Sequence, residues 1–193
     1  MTPPSDDATL LARAADGDHS SFTVLMRRHE DRVFAVCLRL MGSRHAALDA
    51  VQETFTTLYR KAGQYRGSAA VSTWLYRITV NTCYDLLRKE RRRPTEAMPE
   101  HSEPVDPAGE DGFVAVDLRP EIERALAILT PEFRSVVVLS DIHGYPLPDV
   151  AEALELPLGT VKSRLFRARR QLAAQLGNLS PRSDHPKDTE PST

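Results

Sequence analysis

The sequence predicts an all-α protein of two small helical domains, an N-terminal four-helix domain and a C-terminal helix-turn-helix domain, joined by an acidic, proline-rich linker. Three observations carry that reading. Apolar residues recur at steps of three and four in both halves, the apolar mass is Leu, Ala and Val with aromatics at only 6%, and a run of acids and prolines without apolar periodicity lies between the halves. That composition excludes an all-β sandwich. The 193 residues include 25 Lys or Arg and 27 Asp or Glu, so the net charge of -2 excludes a simple polybasic nucleic-acid binder. The charge is nonetheless divided by segment. Residues 1–93 hold 15 bases and 10 acids, residues 94–118 hold 7 acids and no base, and residues 119–178 hold 8 bases and 7 acids. The middle segment contains Pro94, Pro99, Pro104 and Pro107, which marks an extended linker. The expected organisation is therefore a domain over 8–93, a linker over 94–118, a second domain over 119–178 and a disordered tail over 179–193.

Taken in order, Leu10, Leu11 and Ala14 mark a short first helix. Phe22, Leu25, His29, Val33, Val36, Cys37 and Leu40 then trace one face of a long amphipathic helix that Gly42 ends. On that face His29 is expected to be a partly buried core residue. Leu48, Val51, Phe55 and Leu58 repeat the pattern behind a Ser43 cap, and Gly63 and Gly67 close it. A fourth helix, starting near Ser72 or Thr73, turns Trp74, Leu75, Ile78, Thr82 and Leu86 inward and runs into the basic stretch at 88–93. In the second domain Ile122, Leu126 and Leu129 make a helix face, and Thr130-Pro131-Glu132 reads as an N-cap with proline at the first helical position. The run at 136–139 would suit a strand by itself. The cap before it and Gly144 after it make it a helix. Residues 147–156, the tight turn Pro157-Leu158-Gly159 and residues 160–172 then have helix-turn-helix spacing.

Several function classes drop out early. No apolar run approaches the ~20 residues of a membrane span, and the first residues lack a basic and apolar export signal, so a cytoplasmic protein is expected. Cys37 and Cys83 stand 46 positions apart with no CxxC and no Cys/His cluster, which predicts free thiols and no zinc site. There is no glycine-rich phosphate cradle, nucleophile elbow or carboxylate cluster outside the linker, so no enzyme, cofactor or small-molecule substrate is expected.

Three surfaces remain. In the last helix Val161, Leu165, Ala168 and Leu172 form the buried stripe, leaving Lys162, Ser163, Phe166, Arg167 and Arg170 on the opposite side. Five bases and no acid lie within residues 160–171. A helix of this diameter fits the major groove, where Arg or Lys bridges guanine acceptors and a hydroxyl serves either kind of base edge. An aromatic on the polar face needs something to pack on it, which argues against a merely solvated basic helix. The second surface combines Arg77, Asn81, Tyr84 and Arg88 on one helix face with the preceding loop Gly63-Gln64-Tyr65-Arg66-Gly67-Ser68-Ala69-Ala70. An aromatic beside an amide is what reading an unstacked base requires, although Tyr65 and Trp74 equally suit core anchors and Asn81 a surface amide. The third is acidic and polar: Asp49, Gln52, Glu53 and Thr56 share the face opposite Leu48, Val51 and Phe55. Solvent explains it as well as a basic protein partner does.

With these residues in view, the chain resembles a bacterial sigma factor of the extracytoplasmic-function type over about residues 8–176. The stretch Leu48-Asp49-Ala50-Val51-Gln52-Glu53-Thr54-Phe55 resembles the family's polymerase-binding helix. Thr73-Trp74-Leu75-Tyr76-Arg77-Ile78-Thr79-Val80-Asn81 resembles its promoter-melting segment, and Gly159-Thr160-Val161-Lys162-Ser163-Arg164-Leu165-Phe166-Arg167-Ala168-Arg169 its minus-thirty-five recognition helix. The surroundings of Ala69-Ala70-Val71-Ser72 and His143-Gly144-Tyr145 resemble the sigma-M-like actinobacterial group. The resemblance implies that the chain binds core RNA polymerase through Asp49, Gln52 and Glu53 and directs promoter-specific initiation. It further implies minus-ten contacts by Tyr65, Arg66, Gly67, Arg77, Asn81 and Arg88, with Asn81 and Tyr65 capturing a flipped base. Minus-thirty-five contacts fall to Thr160, Lys162, Ser163, Phe166, Arg167 and Arg170. The implied partners are core polymerase, promoter DNA and a membrane-bound anti-sigma factor, since the short tail after Gly177 offers no sensory domain, and the chain is expected to be a monomer when free of them. Pro146-Leu147-Pro148-Asp149 departs from the family's usual polar helix start, which leaves the beginning of the first helix of the helix-turn-helix in question.

The alternative is a two-domain regulator that binds DNA without polymerase, its first domain serving dimerisation; it predicts tight promoter binding by the chain alone. The linker argues otherwise. Promoter elements more than two duplex turns apart lie about 70 Å apart or more. A flexible 25-residue linker typically spans only ~25 to 30 Å, and ~85 Å fully stretched. The free chain is therefore expected to be closed, with the linker's acids lying against the basic faces, and to bind duplex promoter poorly.

Overall fold

The computed structural model describes residues 6–92 and 120–177, and every regular element among them is helical. The expectations for the linker and the tail lie outside the described residues. The first domain consists of α1 (Asp7–Ala15), α2 (His19–Met41), α3 (Arg44–Lys61), a 3₁₀ turn at Ala62–Gln64 and α4 (Val71–Arg92). Asp6 caps α1 by accepting the Thr9 N–H at 2.7 Å, and Asp18 caps α2 through the N–H groups of Ser20 and Ser21 at 3.0 and 3.1 Å. Hydrogen bonds from Ser20 and Ser21 hold the Asp18 carboxyl well below the usual carboxylate range. Gly42 ends α2 in the left-handed conformation at φ 72°.

Helix α2 is the central element and packs against α1, α3 and α4. Leu25, Phe34, Val36, Leu58 and Leu75 are all buried in the resulting core. As expected, His29 is buried; its Nε2 lies 2.7 Å from Asp7, whose other oxygen accepts from Arg28 at 3.0 Å. Cys37 and Cys83 are free and buried with their sulfurs 3.9 Å apart between α2 and α4. The contact with Cys83 and burial push the Cys37 thiol up, away from the reactive thiolate.

The second domain consists of α5 (Pro120–Ala127), α6 (Pro131–Val137), a π turn at Val138–Ile142, α7 (Leu147–Ala153) and α8 (Leu158–Gly177). The 136–139 run is helical as expected, but it opens into the π turn through the bond from His143 N–H to the Val138 carbonyl at 3.0 Å. Thr130 has the extended backbone of an N-cap, yet its side chain makes no capping bond and its carbonyl accepts the Arg134 N–H instead. Despite Pro146 and Pro148, α7 starts at Leu147, where the periodicity puts it.

The turn of the helix-turn-helix corrects the sequence expectation. From the sequence, α7 extends to Leu156 and the turn is Pro157-Leu158-Gly159; in the structure α7 ends at Ala153 and α8 begins at Leu158. The reason is local hydrogen bonding. The Leu156 N–H reaches back to the Ala151 carbonyl at 2.9 Å and the Glu155 N–H to that of Glu152 at 3.2 Å, closing α7 in a Schellman turn. The Pro157 carbonyl then accepts from Thr160 and Val161 at 2.8 and 3.1 Å, so Leu158 and Gly159 are already helical.

Helix α4 starts at Val71, slightly earlier than the sequence suggests, because the Trp74 N–H bonds the Ala70 carbonyl. Leu75, Ile78 and Thr82 are buried as expected, whereas Trp74 and Leu86 are only half-buried. A second stripe, Tyr76, Val80 and Cys83, is also buried. The single-stripe reading misses it because α4 is covered on two sides, by the first domain's own helices and by α7 of the second domain.

Candidate nucleic-acid and protein interfaces

Helix α8 presents its cationic face outward. Val161, Leu165 and Ala168 are buried while Lys162, Ser163, Phe166, Arg167 and Arg170 are exposed; Thr160 is half-buried and its carbonyl accepts the Ser163 hydroxyl at 2.9 Å. Phe166 is 64% exposed, with the Arg170 guanidinium 6.0 Å from its ring centroid. Arg169 is used differently, in a paired contact with Asp141 at 2.9 and 2.7 Å that braces α8 against the π turn. Among the described residues no ion pair holds Lys162 or Arg167. Lys162 and Arg167 can therefore meet an anionic surface without first breaking an ion pair.

The loop before α4 is anchored by its aromatic. The Tyr65 hydroxyl donates to the Ala69 carbonyl at 2.5 Å, and its half-buried ring lies 5.4 Å from that of Trp74, so Tyr65 serves as an anchor for the loop. Burial raises its phenol above the ordinary value. Arg66 and Gly67 are exposed in the same loop, with Gly67 at φ 72°. Along α4, Asn81 and Arg88 are exposed, but Arg77 and Tyr84 are engaged by the second domain. Arg88 is tied locally, to Asp85 at 2.6 Å and the Tyr84 carbonyl at 3.3 Å.

On α3 the polar stripe is exposed at Asp49, Gln52 and Glu53 and half-buried at Thr56. Its side chains have only loose local partners, His45 at 3.9 Å from Asp49 and Thr57 at 3.5 Å from Glu53, and the Thr56 hydroxyl donates to the Gln52 carbonyl. Ala47, Ala50, Val51 and Phe55 on the other side are buried, which fixes the stripe's outward orientation.

Comparison with known proteins places the chain in a family. Residues 25–93 match sigma-70 region 2 and residues 119–172 match sigma-70 region 4. The chain is 40% identical over 174 residues to the extracytoplasmic-function RNA polymerase sigma factor SigM of Mycobacterium tuberculosis, covering 90% of this chain and 86% of that one. Identity to SigW of Bacillus subtilis is 32%, over 88% of this chain and 96% of that one. The chain belongs to the extracytoplasmic-function sigma factors. Its relatives include the SigM group that the sequence resembles, and like them it is a transcription-initiation factor rather than an enzyme. Among solved structures, CnrH in complex with the cytosolic domain of CnrY superposes with TM-score 0.64 at 26% identity, covering 89% of this chain and 97% of that one. RpoE of Bartonella quintana, solved with the anti-sigma factor NepR, gives 0.67 at 25% identity, over 81% and 96% of the two chains.

The sigma factor also contains structural residues that sequence reasoning missed. Arg134 donates to the Ala127 and Leu129 carbonyls at 3.1 Å and, across the domains, to the Leu40 carbonyl at 2.8 Å, satisfying carbonyls at the ends of α5 and α2 and in the turn that follows α5. Tyr145 packs its ring 4.8 Å from that of Tyr76. The cross-domain contacts, Arg134 to Leu40 and Tyr145 to Tyr76, have no sequence signal because their partners are distant in the chain.

Proposed function

We propose that this sigma factor binds core RNA polymerase through the α3 stripe Asp49, Gln52 and Glu53, reads the minus-ten element with Tyr65, Arg66, Gly67, Arg77, Asn81 and Arg88, and reads the minus-thirty-five duplex with α8. The observation that carries the reading is the uncommitted cationic face of α8, with Phe166 exposed among Lys162, Arg167 and Arg170 in a helix-turn-helix. Thr160, half-buried in the first turn of that helix, contributes its hydroxyl to a phosphate in this reading. Asn81 and Tyr65 act on an extruded base, with Tyr65 limited to the part of its ring that Trp74 leaves uncovered.

The domains that carry these contacts are 8–93 and 119–178, with 94–118 as the connecting linker. An anti-sigma factor is the proposed regulator, supported by the two superposed sigma factors, both solved with bound proteins. We take that partner to be membrane-bound, and the free chain to be a cytoplasmic monomer. No helix among the described residues is long and apolar enough to cross a membrane, which is compatible with this placement. The test is in vitro transcription with core polymerase at fixed salt, with and without the chain. Promoter-specific transcripts that require the chain support the reading. Tight promoter binding by the chain alone, with no effect on core, would restore the polymerase-independent regulator.

A further inference from the structure

The α4 face assigned to the minus-ten element is already occupied. Arg77 Nη1 donates to Glu155 Oε1 at 2.8 Å, and the Tyr84 hydroxyl lies 2.7 Å from Ser135 Oγ and 3.3 Å from the Pro131 carbonyl. Beside them Tyr76 is 1% exposed beneath Tyr145. Leu139 and Val150 pack at the same junction, where the remaining gap of about 10 Å³ leaves little room for water. The second domain thus docks on the side of the first that must meet DNA.

Glu155 supplies an independent reason to regard this contact as functional. It is the one non-glycine residue at positive φ among the described residues, at 53° in the left-handed position of the α7 Schellman turn. Glycine is the unstrained choice there. The chain uses glycine at the matching turn after the π segment, where Gly144 has φ 72° and the Tyr145 N–H bonds back to the Leu139 carbonyl at 3.0 Å. A strained glutamate in the equivalent place points to its side chain, and that side chain pairs with Arg77, 78 residues earlier in the other domain.

We infer that Glu155 and its surroundings form a latch: in the free sigma factor the helix-turn-helix domain is an intramolecular ligand of the minus-ten surface, and the Glu155 carboxylate occupies Arg77 where a DNA phosphate would otherwise bind. The assignment of α4 to DNA rests on the proposed function above, whereas closure of the free chain does not. Docked on α4, the second domain cannot reach an element about 70 Å away, so opening must precede promoter engagement. The apolar contact of Tyr76 with Tyr145 sets the closed arrangement. The ion pair, 35% and 63% exposed on its two sides, is weak enough for a polyanion to displace.

Small-angle X-ray scattering of the full-length chain tests the latch without DNA or polymerase. Wild type should be compact, and Tyr145→Asp and Glu155→Arg should expand it while far-UV circular dichroism stays helical. Arg77→Glu combined with Glu155→Arg should close it again. Glu155→Gly should shift the closed-to-open ratio roughly one-and-a-half- to five-fold toward open, the range of an exposed ion pair, and leave thermal stability equal or higher because strain is relieved. An expanded wild type, or identical profiles for wild type, Tyr145→Asp and Glu155→Arg, overturns the latch. Failure of the transcription assay with a chain that closes in this way would instead overturn the reading of its function.

Discussion

Residues of the same type on α8 play different parts. Arg169 is committed to Asp141 through two bonds, while Lys162 and Arg167 face outward. Substituting alanine for Lys162 or Arg167 is therefore expected to weaken promoter binding with little change in fold. A side chain that reads a base loses ~1 to 3 kcal/mol and relaxes specificity at one position; one that holds a phosphate loses affinity on all sequences and flattens the salt slope by about one unit. Binding titrations over a promoter panel at several salt concentrations distinguish the two, and unchanged affinity in both variants removes α8 from the groove. Asn81 makes a different prediction. Because Asn81 is exposed, and its proposed contact forms only after a base is extruded, Asn81→Ala should impair strand opening more than duplex binding. Permanganate footprinting of the holoenzyme on a linear promoter reads this directly, and normal opening would assign the amide to the surface alone.

At the scale of elements, the buried side of a helix fixes what its other side can do. Ala47, Ala50, Val51 and Phe55 hold α3 so that Asp49, Gln52 and Glu53 project together, and reversing one charge changes the field without disturbing the core. Asp49→Arg and Glu53→Arg should each weaken the complex with core polymerase by setting like charge against a basic partner. Wild-type affinity in both, measured at one salt concentration, would exclude this stripe from the interface. Helix α4 shows the converse arrangement, burial on two sides. Leu75 is 0% exposed, so Leu75→Ala should cost about 2 to 5 kcal/mol in denaturant unfolding through the cavity it leaves.

The whole molecule adds a pH dependence that no single helix has. Burial holds His143 down to about 4, with Arg39 and Arg32 of α2 adding repulsion against its charged form. An open or unfolded chain hydrates the same imidazole and returns it to about 6.5. With the folded value below the unfolded one, the stability of the closed form is fully present above about pH 6.5 and is lost as pH falls toward 4. Scattering or thermal melts across that window should show loosening on acidification, and His143→Gln should flatten the profile. A wild-type profile that is flat between pH 6.5 and 4 would mean that His143 is solvated in solution.

Much of this was legible in the sequence, for a physical reason: helical periodicity, caps and exposed stripes are local properties, written within a few turns of chain. Leu48, Val51, Phe55 and Leu58 orient α3 without reference to anything distant, and Val161, Leu165 and Ala168 do the same for α8. Hydrogen bonds at chain reversals were less legible, because whether Leu156 closes α7 or continues it depends on bond geometry that residue types alone leave open. A closed free chain was expected from the linker, but which face of α4 the second domain covers was not legible. Tyr76, Val80 and Cys83 form a second apolar stripe whose burial requires neighbours such as Tyr145 and Cys37, far away in the chain, and Glu155 shows its strain only once φ is known. The sequence by itself determined the helices and the surfaces they offer; only the tertiary structure decided which of those surfaces the free chain keeps covered, because that depends on contacts between segments that no local pattern relates.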